Sequence, residues 1–247
     1  MRYFVAGIAL LLAACFSQSS TPHEILVAAA SDLAGAMPEL AAAFEASTGV
    51  RVVATLGSSG QLAQQTLQGA PVDVFLSADE GWIDRLEAAG RLEPGTRSVY
   101  AYGMLVLLAG RQTEPPATVM ELDRAAYARI ALANPEHAPY GVAARQALES
   151  AGIYHAVQDR LVLAENVRQT VQFAESRAVD VSIAALSLMD SARHRWNTVP
   201  TALHQPLAQT AAVIAGSQQT DAARAFVGFL LGPQGREILA RYRFVLP

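Results

Sequence analysis

Ile25-Leu26-Val27-Ala28-Ala29-Ala30-Ser31-Asp32-Leu33 is a strand-length apolar run that narrows to three alanines and then meets a polar turn able to open a helix. The same order returns at Arg51 to Leu56, followed by Gly57-Ser58-Ser59-Gly60 and a helical stretch from Gln61. Short β-type runs alternating with longer helical ones are the signature of an α/β chain with mostly parallel strands. Further strands are expected at Asp73 to Ser77, Met104 to Ala109, Arg129 to Ala133, Asp180 to Ala184 and Thr210 to Ala215. Helices are expected at Gly60 to Gln68, Glu80 to Ala89, Gly141 to Ala151, Val167 to Arg177, Thr220 to Leu231 and Pro233 to Tyr242. Asp32 to Ala46 is also apolar at helical spacing, with Pro38 inside it to kink the helix or delay its regular part.

Composition breaks near Gly90 to Arg97, at Arg111 to Pro116 and around Asn197 to Pro206 suit two α/β lobes joined by two or more strand crossings. Residues 24–101 and 216–247 are expected to form the first lobe and 102–215 the second. No repeat or low-complexity segment interrupts them.

The 247 residues are 52% hydrophobic and 16% charged, ordinary globular composition with mass for two small lobes. A net charge of -4 and the lack of any basic run give no attraction to nucleic acid or anionic lipid. Every cationic side chain is arginine, so no Schiff-base or phosphate-loop lysine exists. Arg2 and the apolar run Phe4 to Ala14 read as an export signal over residues 1–15, too short for the roughly 20 residues a span needs. It closes on Leu12-Ala13-Ala14-Cys15, which resembles a bacterial lipobox. Either Cys15 is lipidated, with residues 16–23 as a tether, or the signal is cleaved nearby and Cys15 is lost. Cys15 is the single cysteine, so no disulfide framework is available.

Ser31 and the Gly57-to-Gly60 turn each lie where a strand gives way to a helix. A helix start offers free N–H groups and the positive end of its dipole, which suits an anion. Ser31 either caps its own helix or donates to a ligand. Two such turns at the carboxyl ends of neighbouring strands are what a ligand crevice in an open α/β sheet requires. Neither turn carries a cation, which favours a small dianion held by neutral donors. No nucleophile elbow, zinc helix, CxxC, Walker or dinucleotide loop is present, and the five histidines are dispersed, without metal-ligand spacing. They are expected on the surface or in loops. Asp79-Glu80 reads as an acidic first helical turn.

At these residues the chain resembles the periplasmic molybdate-binding proteins of ABC importers. The resemblance rests on Ala28 to Leu33, Gly57-Ser58-Ser59-Gly60-Gln61-Leu62-Ala63, Gly69 to Asp79, Ala133-Asn134-Pro135-Glu136-His137-Ala138-Pro139-Tyr140-Gly141, Ala164 to Arg168, and Gly232-Pro233-Gln234-Gly235. It covers nearly all of residues 24–247. It implies a two-lobed type II periplasmic-binding fold, with mixed, mostly parallel sheets and molybdate, and also tungstate, held in the cleft by serine hydroxyls and main-chain N–H groups. Carried over by position, Ser31 and Ser59 donate from the first lobe, and the N–H groups of Tyr140 and Val167 from the second. Asp32 and Ser58 are the neighbours named next. Many members place a tyrosine hydroxyl on the ligand where this chain has Ala185, so either a donor is missing or a group such as Tyr140 compensates. Arg168 is expected to be structural or superficial.

The same resemblance implies a monomeric periplasmic receptor with no catalysis, no cofactor and no free metal cation, working with a permease and an ATPase. Its contact with a membrane would be only a lipid on Cys15. Three other readings stay open: a sulfate or phosphate receptor, a serine hydrolase using Ser31 or Ser59, and the effector-sensing domain of a regulator. The hydrolase would need a histidine base beside its serine. The absence of a helix-turn-helix segment and the export signal weigh against the regulator.

Overall fold

The structure, a computed structural model, describes residues 24–110 and 114–247. The expected export signal, the tether, Cys15 and His23 lie outside those residues. Among the described residues, eight α-helices and ten strands are arranged as two α/β lobes, each built on a five-stranded mixed sheet.

The first lobe opens with β1 (Glu24–Ala30), whose alternating side chains serve two cores. Ile25, Val27 and Ala29 face one helical layer and Ala28 the other, the period of two that a strand covered on both faces requires. Pairing in parallel with β1 are β2 (Arg51–Gly57) and β3 (Val74–Ser77). Between them run α1 (Met37–Thr48), α2 (Ser59–Leu67) and, after β3, α3 (Gly81–Ala88). The segment from Asp32 does not begin as an α-helix. Ser31–Ala34 form a 3-10 turn, and α1 starts at Met37 with Pro38 in its first turn, where a missing N–H costs nothing.

β4 (Ser98–Gly103) closes the edge of the first sheet, and after Met104 the chain passes straight into β5 (Leu105–Ala109) of the second. The second lobe continues with β6 (Ile130–Ala133), α4 (Pro139–Ser150), the short α5 (Tyr154–Val157), β7 (Leu161–Ala164), α6 (Val167–Glu175), β8 (Val181–Ala185) and β9 (Trp196–Thr198). Its strand order is β7-β6-β8-β5-β9.

The chain then returns. β10 (Leu207–Val213) runs antiparallel between β3 and β4, completing the order β2-β1-β3-β10-β4. Residues 207–213 therefore belong to the first sheet, and β4 carries that lobe to Gly103. This corrects the grouping of 102–215 as the second lobe, because an apolar strand carries no local mark of which sheet it will join. The crossing strands β5 and β10 make the antiparallel pairings, two in each sheet, beside two parallel ones. Finally α7 (Thr220–Leu231) and α8 (Pro233–Arg241) pack Phe226, Leu230 and Ile238 into the core that contains Ile25 and Phe44. Phe44 and Phe226 meet edge to face at 5.1 Å.

Candidate functional site

Four chain turns converge between the lobes: the 3-10 turn after β1, the start of α2, and the starts of α4 and α6. They line a small, tight pocket whose enclosed space is about 10 Å3, with Ser31, Asp32, Ser58, Ser59, Tyr140 and Val167 in its wall. The four predicted donors and two of their three named neighbours thus meet in one place. Ala185 does not line it: it is wholly buried at the end of β8, paired with Leu105 and packed in the core of the second lobe.

Each serine is held differently. Ser59 is the first residue of α2, and its hydroxyl accepts from the Ala78 N–H at 3.0 Å, which leaves its own hydrogen to donate. Ser31 Oγ accepts from the Arg168 N–H at 3.4 Å and likewise keeps its hydrogen. Ser31 is the first residue of its 3-10 turn and Ala30 holds the N-cap position, so the serine does not stand where a cap would. Ser58 is committed elsewhere, its hydroxyl donating to the His137 carbonyl across the cleft at 2.5 Å. The Gly60 N–H donates to that same carbonyl at 2.9 Å. A Cβ on Gly60 would stand 2.6 Å from the His137 oxygen, so this closeness of the two lobes depends on glycine.

The second lobe contributes helix starts. Tyr140 follows Pro139 in the first turn of α4, and Val167 opens α6, whose N-cap Asn166 accepts from the Gln169 N–H at 3.2 Å. Ser59, Tyr140 and Val167 are therefore first-turn residues whose N–H groups have no preceding helical carbonyl to bond. Among the described residues, no arginine or histidine lines the pocket. Arg168 keeps its side chain exposed, as expected of a superficial arginine, and bounds a separate groove with Gly35, Ser187 and Arg243.

Asp32 is wholly buried, and burial pushes its carboxyl up to about 7. The Tyr140 hydroxyl donates to Asp32 Oδ2 at 3.0 Å and opposes that rise without cancelling it, as do the N–H groups of Asp32 and Leu33. Burial holds the hydroxyls of Tyr140 and Tyr100 well above their ordinary range, and the Asp32 charge adds to it, so both stay protonated.

Reading the sequence placed Asp32 at the site, but not the tyrosine hydroxyl that meets it from the other lobe. His137 lies in a loop, as expected, but its ring is partly buried with Nδ1 2.9 Å from Ser58 Oγ. Proximity to Ser58 arises only on folding, 79 residues apart in the chain.

Residues 25–245 match the pattern described as bacterial extracellular solute-binding protein. The chain belongs to this family. One similar solute-binding protein is the molybdate-binding protein ModA of Azotobacter vinelandii, 32% identical over 240 residues that span 95% of this chain and 94% of that one. ModA of Escherichia coli (strain K12) is 31% identical over 255 residues, covering 98% and 96%. The solved periplasmic molybdate-binding protein of Azotobacter vinelandii superposes with a TM-score of 0.83 at 31% identity, covering 90% of this chain and 99% of that chain. The two-lobed architecture expected of a solute-binding protein is the one this chain adopts. Among the described residues, no helix is long and apolar enough to cross a membrane.

Proposed function

We propose that this protein captures molybdate, and tungstate with it, outside the cytoplasmic membrane and delivers it to the permease and ATPase of an ABC importer. The observation that carries the reading is a buried, cation-free pocket where the hydroxyls of Ser31 and Ser59 and the first-turn N–H groups of Ser59, Tyr140 and Val167 converge from both lobes. Such donors suit a fully ionised tetrahedral anion, which needs hydrogen bonds on every oxygen and no acceptor. The ligand completes contacts to both lobes at once, so binding stabilises the closed arrangement over an open one. The names of the ModA relatives support the choice of molybdate.

Sulfate and phosphate receptors would use similar donors. Hydrogen phosphate also needs an acceptor, and the one carboxyl among the described residues of the wall, Asp32, is raised to about 7 with its Oδ2 already taken by the Tyr140 hydroxyl. A hydrolase reading gains the Ser58–His137 pair but lacks a proton path: the Ser58 hydrogen goes to a carbonyl, and no carboxylate is hydrogen-bonded to the His137 ring among the described residues. The reading therefore assigns no catalysis. It places a monomer in the periplasm, with Cys15 as the residue through which a lipid would tether it.

Calorimetric titration of the chain beginning after Cys15 with molybdate, tungstate, sulfate and phosphate tests this. Tight binding confined to molybdate and tungstate is the expected result. Preference for sulfate or phosphate would overturn the ligand, and no binding of any of the four would overturn the receptor.

A further inference from the structure

Asp32 lies in the wall of the pocket and is fastened to the opposite lobe twice. Its Oδ2 accepts from the Tyr140 hydroxyl at 3.0 Å, and its main-chain carbonyl accepts from the Ser187 hydroxyl at 2.9 Å. The groups that face its carboxyl are Tyr140 on α4, Tyr100 on β4 and Gln209 on β10, besides the N–H groups of its own turn. None is a cation. Among the described residues, buried Asp32 Oδ1 and Gln209 Nε2 have no hydrogen-bond partner of ordinary geometry, although Gln209 faces the carboxyl closely enough to favour its charged form. Gly103 at the first crossing makes room for this cluster, since a Cβ there would lie 2.9 Å from Gln209 Nε2 and 3.0 Å from Tyr140 Cζ.

An ionised Asp32 beside a dianion would put three negative charges in one dry pocket with no positive charge to offset them. A proton on the carboxyl removes the conflict and leaves Oδ2 free to go on accepting from Tyr140. Resting on the oxyanion reading above, we infer that binding of a dianion is coupled to uptake of one proton at Asp32, which acts as a positioning residue holding Tyr140 and the second lobe beside the ligand.

Burial alone already brings the acid to about 7, and a bound dianion acts in the same direction. Below that value the acid is neutral before the ligand arrives, so binding there takes up no proton and is insensitive to pH. Above it, affinity falls by up to tenfold per pH unit until the acid of the complex itself ionises.

The test is calorimetry of the chain beginning after Cys15, with molybdate, at pH 6 and pH 8, in two buffers of widely different ionisation enthalpy. At pH 8 the apparent enthalpy should differ between buffers by close to one proton per molybdate, and at pH 6 by close to none. Asp32→Asn should abolish both the uptake and the pH slope. Tyr140→Phe removes the bond that favours the carboxylate, and should move the onset of the slope to higher pH. Tight molybdate binding at pH 8 with no proton uptake, or uptake that persists in Asp32→Asn, would overturn the inference while leaving the receptor reading intact. No molybdate binding at either pH would remove both.

Discussion

Ser31 and Ser59 look equivalent in the chain, yet their neighbours separate them. Ser59 also satisfies the Ala78 N–H, so truncating it leaves a buried donor unpaired, whereas the Ser31 contact to Arg168 is long and weak. Both alanine variants should weaken oxyanion binding by about 1.5 to 3 kcal/mol, the range for a hydrogen bond to a charged partner. Only Ser59→Ala should also lower the stability of the free protein, by about 1 kcal/mol in denaturant titration. Gly60→Ala makes a different prediction: the added methyl would stand 2.4 Å from the Trp82 ring of its own lobe and 2.6 Å from the His137 carbonyl of the other, so the variant should lose some stability as well as closure. Scattering should then show a radius of gyration that no longer shrinks on adding molybdate. The meeting of these serines in one pocket was legible in the sequence, because serines and glycines at strand-to-helix turns suggest an anion site by type and position. The Asp32–Tyr140 contact was not, because its partners are 108 residues apart and a tyrosine reads the same whether its hydroxyl meets a ligand or a carboxyl.

At the scale of elements, α6 shows how a cap aims a donor. Asn166 fixes the first turn through its bond to the Gln169 N–H, and so fixes where the Val167 N–H points. Asn166→Ala should cost about 1 kcal/mol of stability by chemical denaturation, typical for loss of an N-cap, and should weaken binding as well. The four-residue α5 was not expected, but the longer helices and the buried strands were legible from periodicity, and α7 keeps the expected bounds Thr220–Leu231. Three strands escaped it. β9 has only three residues, at a sheet edge and inside a stretch whose composition reads as loop; β7 is an edge run with Leu163 exposed; β4 follows directly on a turn-rich break. Each is recruited by neighbouring strands more than by its own pattern.

The whole molecule should respond to pH through its buried acid. A carboxyl whose folded value is raised contributes stability that is full below its unfolded value near 3.8 and is lost as pH climbs through about 7. Between pH 6 and 8 the ligand-free closed form should lose about 1.4 kcal/mol on this account, the equivalent of roughly half a bound proton averaged over the two pH units. Thermal melting at the two pH values would measure it, and Asp32→Asn should erase the difference. The two-lobed plan itself was legible, but the place of the second crossing was not. That crossing depends on β10 inserting between β3 and β4, a long-range choice made by the sheet.

The chain has two tryptophans, and both stand where the lobes meet. Trp82 lies against Gly60, which itself touches the His137 carbonyl, and Trp196 of the second lobe has the Arg243 guanidinium of the C-terminal segment 5.6 Å from its ring. Arg243 also reaches across to the Met189 carbonyl at 2.7 Å and the Ser191 hydroxyl at 2.9 Å. Parting the lobes would strip the cation from one indole and admit solvent to the other. The protein therefore carries its own optical gauge: emission from two native fluorophores tracks occupancy, and a single-tryptophan variant of either assigns the signal to one side of the hinge.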